Sequence, residues 1–238
     1  MKNKLNVLHI SDTHNYHSLL TIPKNIDVII HSGDTTNYYD KVKNWVEFQN
    51  FFEWYKNLDI PYKILIAGNH DATLYHNTMN IKQQLKDSGI IYLENDYCDI
   101  EGIKIFGTPI TPTFNNWYFM KQRSKLDNVW SNVDDNIDIF VSHGPCKGIL
   151  DLSEDINHNL EYCGDKALYR HITSRIKPKL FLHGHIHSNK NIENTGIYYK
   201  DKIYFSNAAS MMDNKFGILH CNGNKFSISL KNKKVSIL

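Results

Sequence analysis

The chain has 238 residues, 41% of them hydrophobic and 22% charged, with a formal net charge of +2 at pH 7. This balance excludes a disordered or fibrous chain, and so mild a charge gives no reason to expect nucleic acid as a partner. The longest apolar stretches, at residues 27–30 and 64–67, fall far short of the ~18 residues of a membrane span, so no membrane association is expected.

Residues 1–5 run directly into a strand-like segment, without the apolar stretch and small-residue cleavage site of a secretory leader. The four cysteines, Cys98, Cys146, Cys163 and Cys221, are widely spaced and form no CxxC pair, which argues against a zinc knuckle or a disulfide scaffold. A cytoplasmic setting with reduced thiols is therefore the expectation. Buried strands are expected at residues 5–10 and 27–31, followed by a helix over 41–58. Val42, Trp45, Val46, Phe48, Phe52 and Tyr55 recur there mostly at i+3 and i+4 steps and predict the face packed on a sheet.

A third strand follows at 62–67, then a hairpin of 97–100 and 103–106 with Glu101-Gly102 at its turn. Residues 108–136 are irregular, broken by Pro109, Pro112 and Asn115-Asn116 before a short helix near 124–130; they are a candidate pocket-lining loop. Strands at 138–141 and 179–182 flank a helix over 164–176. Residues 196–238 read as short alternating segments separated by 201–202, 213–215 and 222–224. Alternating strands and helices imply parallel pairing and an α/β class, while the hairpin and tail imply antiparallel strands, together a pair of mixed sheets covered by helices. No repeat, low-complexity tract or linker divides the chain, so residues 1–238 are read as a single domain.

The strand ends carry the chemistry. Asp12-Thr13-His14, Gly33-Asp34, Gly68-Asn69-His70-Asp71, His143-Gly144 and Gly184-His185-Ile186-His187 each follow a predicted buried strand, at the sheet edge where α/β proteins bind ligands. Singly, each has a bland reading: Asp-x-His recurs by chance, Gly-Asp and Asn-His-Asp are common turn chemistry, and Gly-His-x-His occurs as solvated histidines. Five such blocks in order, each after a buried strand, specify a metal site.

On these blocks the sequence resembles the calcineurin-like metallophosphoesterase superfamily, whose pattern is D-x-H, G-D, G-N-H-[DE], H and G-H-x-H; the match spans residues 12–187. Within it the chain is most similar to the branch of metallophosphoesterase-domain-containing proteins related to cyclic-nucleotide phosphodiesterases. The branch features are Gly107-Thr108-Pro109, Trp117-x-Phe119, residues 143–151 and Lys177-Pro178. Cys146 stands where that branch often has a second proline.

The resemblance implies a four-layer αββα sandwich of two mixed sheets flanked by helices, and two divalent metal ions. Asp12, His14 and His187 would bind one ion, Asn69, His143 and His185 the other, and Asp34 would bridge them. Nitrogen and oxygen donors without thiolate suit Mn²⁺ foremost, with Fe or Zn²⁺ as alternatives. Two such ions outweigh two aspartates and a bridging hydroxide, so an anionic phosphoester is the natural guest. Paired ions ~3.5–4 Å apart activate a shared water and clamp the attacking and leaving oxygens. His70 is then the candidate general acid, and Asp71 either orients it or caps the helix-like segment that follows.

A small phosphoester is the expected partner, with cyclic nucleotides or 2',3'-cyclic phosphates favoured on branch resemblance. Phosphomonoesterase, phosphoprotein phosphatase and nuclease activities stand as alternatives, as does a non-catalytic scaffold; the sequence leaves the oligomeric state open. His9, His31 and His183 lie within strand patterns and are read as hydrogen-bonded core residues. Asn15, His17 and Lys147 neighbour the motifs and are possible substrate contacts, Trp117 and Phe119 are read as packing, and His76, His158, His171 and His220 carry no functional signal.

Overall fold

The computed structural model describes residues 2–155, 157–213 and 215–238. In the first strand, Lys4–Ile10, Leu5 and Val7 join one hydrophobic cluster while Leu8 and Ile10 join another. Successive side chains of a strand point to opposite faces, so this strand lies between two packed layers. It pairs in parallel with Val28–His31, followed by Tyr62–Leu65 and Ile90–Tyr92, and antiparallel with Asn224–Ser229, which borders Val235–Ile237. The second six-stranded sheet runs Gly196–Lys200, Ile203–Asn207, Leu180–His183, Ile139–Ser142, Ile103–Thr108, Asp96–Ile100, with parallel central pairings and antiparallel edges.

Three clusters fill the spaces between four layers. Leu5, Val7, Val28, Ile30 and Ile64 of the first sheet meet Ile105, Ile139, Val141, Leu180 and Leu182 of the second. Outside the first sheet, Leu8, Ile29 and Leu65 pack against Phe48, Phe51, Phe52 and Tyr55 of helix Lys41–Lys56 and against Leu85 of helix Ile81–Asp87. Outside the second, Phe106, Phe140, Phe181 and Phe205 meet Leu126 and Trp130 of helix Arg123–Ser131, with Leu168 of Lys166–His171 and Ile172 of the π-helical turn Ile172–Ile176. The expected αββα sandwich of mixed sheets is the result.

Some details differ from the sequence reading. Val42 and Val46 are exposed (73% and 53%), while Phe51 is fully buried. At 3.6 residues per turn Val42 and Val46 fall on the side opposite Phe48, Phe52 and Tyr55, and Phe51 falls on theirs. Strand Ile90–Tyr92 and helix Ile81–Asp87 were not anticipated, because three and seven residues give too short a periodic signal. The hairpin turn forms as expected, with Glu101 and Gly102 both left-handed (φ 53° and 83°), the conformation of a type I′ turn. Asn214, within the expected 213–215 turn, lies outside the described residues.

The two sheets are tied at the edge that matters for function. Ser11, just past the first strand, forms a parallel bridge with Ala209 beyond Ile203–Asn207, its N–H donating to the Ala208 carbonyl at 3.1 Å. Loops leaving the parallel strands of both sheets thereby face one another.

Candidate metal centre

The loop after each of five parallel strands delivers a ligand-type side chain to this edge. Asp12, His14 and His187 form one group and Asp34, His143 and His185 another, each offering donor atoms within 4.8 Å of one another. Asp34 stands between them: its Oδ2 lies 3.9 Å from His14 Nε2 and 3.3 Å from His143 Nε2. Asn69 joins the second group through its Oδ1, 3.0 Å from His143 Nε2. All seven residues expected as ligands are thus brought together. His70 adds a third, overlapping group with His14 and Asp34.

The backbone is strained to achieve this. Asp12, His14, Asn15, Asp34 and His185 all have positive φ (50°, 42°, 67°, 56° and 69°), a conformation costing on the order of 1–3 kcal/mol for a residue with a Cβ. Backbone pairing between the loops holds it: Asp12, His14 and Asn15 donate to the carbonyls of Gly33, Asp34 and Thr35 at 2.9, 3.1 and 2.8 Å. Two glycines are required by close approach. A Cβ on Gly184 would overlap Asp12 Oδ2 and Ser11 Oγ, and one on Gly68 would overlap Asp34 Oδ1.

The hydrogen bonds show which ring nitrogens face the cluster. His14 Nδ1 lies 3.1 Å from the Thr36 carbonyl and His143 Nδ1 lies 2.9 Å from the Ser32 carbonyl. A carbonyl can only accept, so each Nδ1 carries hydrogen and each Nε2 is turned to the site. Burial holds the His14 and His185 rings neutral, with pKa values lowered to about 3. Burial also opposes the charged form of His143, but Asp34 and Asp12 outweigh it and push that pKa up to about 9. Burial disfavours ionised Asp12 and Asp34 as well; His187 holds the first below the usual carboxylate range, and His143 and His70 hold the second well below it. Ionised carboxylates and inward-turned imidazole nitrogens, all oxygen and nitrogen donors, fit two divalent cations of the Mn²⁺, Fe or Zn²⁺ type. His187 Nδ1 lies 3.4 Å from Asp213 Oδ1, a carboxylate partner absent from the motifs.

The expectation for Asp71 needs correction. Its carboxylate accepts from the backbone N–H groups of Gly68, Asp34, Thr35 and Thr36 at 2.7–3.2 Å, and from the hydroxyls of Thr35 and Thr36. It makes no side-chain cap to helix Ala72–Tyr75, and it holds the loop carrying Asp34 rather than the His70 ring. Burial and the nearby Asp34 charge raise its pKa to about 6. His70 is held instead by the Asn37 carbonyl, 2.8 Å from Nδ1, and its backbone N–H donates to Asp34 Oδ1 at 2.7 Å.

The irregular 108–136 segment, read from the sequence as a candidate pocket-lining loop, reaches the site through two ring contacts. Phe114 packs near His185 (5.3 Å between ring centroids) and Trp117 on His70 (4.0 Å). Trp117 thus packs, as read, but on the candidate acid. Phe119 packs with the core on the helix side of the first sheet.

His9, His31 and His183 are fully buried and bonded: His9 to Ser206 and Ser32, His31 to Thr13, and His183 to the Gly184 carbonyl. His17 is buried against Phe51 and Trp54, Lys147 is exposed, and Asn15 lines a cavity beside His14. Cys146 is fully buried beside Asp165, in the core under the second sheet. Asn37, Thr36 and Ser32 escaped the sequence reading because they act through backbone carbonyls, which any residue supplies.

A sandwich of this topology with two linked N/O donor groups at its strand ends defines a metallophosphoesterase. The model for calcineurin-like phosphoesterases matches residues 5–189, and the chain belongs to that family. Human metallophosphoesterase domain-containing protein 1 is 31% identical to it over 205 residues, covering 77% of this chain and 60% of its own length, so the chain spans less than two thirds of that relative. One solved structure matches 99% of this chain and 98% of its own with a TM-score of 0.65 at 13% identity. Another, of a novel archaeal phosphodiesterase, matches 98% and 99% with a TM-score of 0.50 at 15% identity. At these identities the two structures establish the fold alone.

Proposed function

We propose that the chain is a dinuclear metal-dependent phosphodiesterase acting on small phosphodiesters, with cyclic nucleotides or 2',3'-cyclic phosphates as the substrate class. The observation that carries the hydrolase reading is the position of the Asp34 carboxylate between the nitrogens of His14 and His143. In this reading Asp12, His14 and His187 would hold one divalent ion, Asn69, His143 and His185 would hold the second, and Asp34 would serve both. Two bound ions supply an activated water and neutralise charge on the phosphoryl oxygens. The resemblance of residues 107–109, 117–119 and 143–151 to the branch related to cyclic-nucleotide phosphodiesterases supports a diester substrate.

The chain's own residues complete the reaction. Water forms one P–O bond, the bond to the leaving oxygen breaks, and that alkoxide needs a proton. His70 Nδ1 is engaged by the Asn37 carbonyl, which leaves Nε2 as the atom to deliver it. The free thiols of Cys98, Cys146, Cys163 and Cys221 support a reducing, cytosol-like compartment; no helix among the described residues is long and apolar enough to cross a membrane.

The test is hydrolysis of paired chromogenic phosphate diester and monoester substrates by Mn²⁺-loaded protein, with Asp34→Ala as blank and 2',3'- and 3',5'-cyclic nucleotides alongside. Diester turnover absent from the variant is the expected result. Turnover of monoesters alone would replace the reading by a phosphatase, and no turnover in a protein holding two ions would favour a scaffold.

A further inference from the structure

Lysine gathers at the edge of the sandwich opposite the metal centre. Lys4 opens the strand that leads to Asp12, and Lys179 and Lys202 immediately precede strands Leu180–His183 and Ile203–Asn207, the first of which leads to His185. The residues of the first strand, at ~3.3 Å each, separate its two ends by about 20 Å. The turn between Asn224–Ser229 and Val235–Ile237 returns to this edge, since Ser229 pairs with Lys4, and it carries Lys231, Lys233 and Lys234.

Two cavities meet at that turn and share Asn232 and Lys234. One, of about 280 Å³, is walled by Lys179, Lys202, Lys233, Tyr199 and Tyr204; the other, of about 370 Å³, by Lys4, Ser227, Ser229 and Ser236. The turn is held in shape. Lys233 and Ser229 donate their N–H groups to the Ser229 and Lys234 carbonyls at 2.8 and 2.9 Å, and Lys234 donates its own to Asn232 Oδ1 at 3.1 Å. None of the described residues 224–238 joins the helix-side cluster, so this flank of the first sheet carries serines where the rest carries Leu8, Ile29 and Leu65.

Positive charge is in excess here. Neither cavity is lined by an acidic side chain. Asp138 Oδ2 already accepts Lys233 Nζ at 2.6 Å and the Lys104 N–H at 3.0 Å, and Asp201, next to Lys202, accepts the Tyr169 hydroxyl at 3.2 Å. Lys4, Lys179, Lys202 and Lys234 have no salt bridge among the described residues. Several ammonium groups around so small a space select a multiply charged anion: a carboxylate neutralises one, whereas a phosphate ester carries nearly two charges and three oxygens that accept from lysine, carboxamide and hydroxyl donors.

We infer that the two cavities form a second anion site, which takes a ligand bearing at least two phosphate groups, one among Lys179, Lys202, Lys233 and Lys234 and the other against Lys4 and the serines. A soluble polyphosphate ester and the headgroup of a phosphorylated lipid offer the same chemistry. The site lies apart from the metal centre and does not rest on the hydrolase reading.

The experiment titrates Mn²⁺-loaded protein by calorimetry with propane-1,3-diyl bisphosphonate, whose P–C bonds resist hydrolysis, and with methylphosphonate, and maps binding by acetic anhydride labelling of lysines read by mass spectrometry. The bisphosphonate should bind about tenfold tighter than methylphosphonate, slowing acetylation at Lys179, Lys202 and Lys234 and leaving Lys86 and Lys166 unchanged. Lys179→Gln and Lys234→Gln, both at exposed positions, should each weaken it about fivefold, the size of one lysine's attraction to an anionic surface. Asp34→Ala should bind it as the parent chain does. Binding lost in Asp34→Ala and kept in the lysine variants would place the anion on the metal centre and overturn the site, as would equal affinity for the two phosphonates. Phosphatidylcholine vesicles with phosphatidylinositol bisphosphate separate the sources: sedimentation with them alongside bisphosphonate binding assigns a lipid headgroup, and bisphosphonate binding without sedimentation assigns a free ligand. Sedimentation without bisphosphonate binding would overturn the site in favour of a diffuse basic surface.

Discussion

The indole of Trp117 lies against the imidazole of His70, with ring centroids 4.0 Å apart and planes inclined by 31°. Tyr39 meets the same indole edge-on at 5.5 Å and stacks on Tyr118 at 5.2 Å, and Tyr118 donates its backbone N–H to the Asn69 carbonyl at 3.2 Å. The loop bearing Trp117 and Tyr118 is thereby fastened to the motif that carries both a candidate ligand and the candidate acid. The Asn37 carbonyl fixes the imidazole's orientation through Nδ1.

Replacing Trp117 by Ala should lower kcat for diesters by about two- to tenfold, corresponding to the ~0.5–1.5 kcal/mol of an aromatic pair, with metal content unchanged. Trp117→Phe should recover most of it. Removing the candidate acid by His70→Ala should cost about 10² to 10⁴ in rate with both ions retained. Loss of an ion from the His70 variant, measured by elemental analysis, would reassign His70 as a ligand, a role its grouping with His14 and Asp34 makes testable.

Asp34→Ala should lose at least one of two ions and nearly all activity, because the variant removes the carboxylate that lies between His14 of one donor group and His143 of the other. Metal stoichiometry and turnover measured on the same sample decide it. Two retained ions with wild-type rates would end the bridging assignment.

Asp71→Ala should destabilise the fold by about 3 kcal/mol or more in urea unfolding, since buried N–H groups lose a charged acceptor. The donors stranded are those of Gly68, Asp34, Thr35 and Thr36. Asp71→Asn, which keeps one acceptor oxygen, should fall between. A fully stable Asp71→Ala protein would return this residue to a direct role in catalysis.

His17 makes stability depend on pH. Burial against Phe51 and Trp54 lowers its pKa from 6.5 to about 4. Between these values the unfolded chain binds a proton that the folded one does not, so this contribution is whole above pH 6.5 and fades as pH falls toward 4. His31 and His183, lowered by burial to about 3 and 4, act in the same direction. His143, raised to about 9, acts oppositely, with stability present below pH 6.5 and lost as pH rises toward 9. Thermal midpoints of the metal-free protein should drop between pH 6.5 and 4, and His17→Phe should shallow that slope. An identical slope in the variant would remove His17 from the cause.

The chain order of short apolar runs, each closed by Asp, Asn or His, carried a pair of mixed sheets covered by helices and five ligand-type blocks at their strand ends, because strand burial and metal chemistry each leave a periodic or compositional mark; the four-layer αββα order and the set of seven ligands came from the family resemblance. That mark is local, and so it faltered where the decisive contacts are not. Val42 and Val46 are apolar yet exposed, since a helix's buried stripe is chosen by the sheet it lands on. Asp71 reads as a neighbour of His70 in sequence, but its carboxylate is claimed by the N–H groups of another loop. The pairing of Trp117 with His70 joins residues 47 positions apart, and the anchors of the His14, His70 and His143 rings are backbone carbonyls with no side-chain signature. Sequence by itself determined which atoms can bind a cation; only tertiary packing decided how each ring is aimed and what lines the space beside it, because orientation is set by partners that the chain brings together on folding.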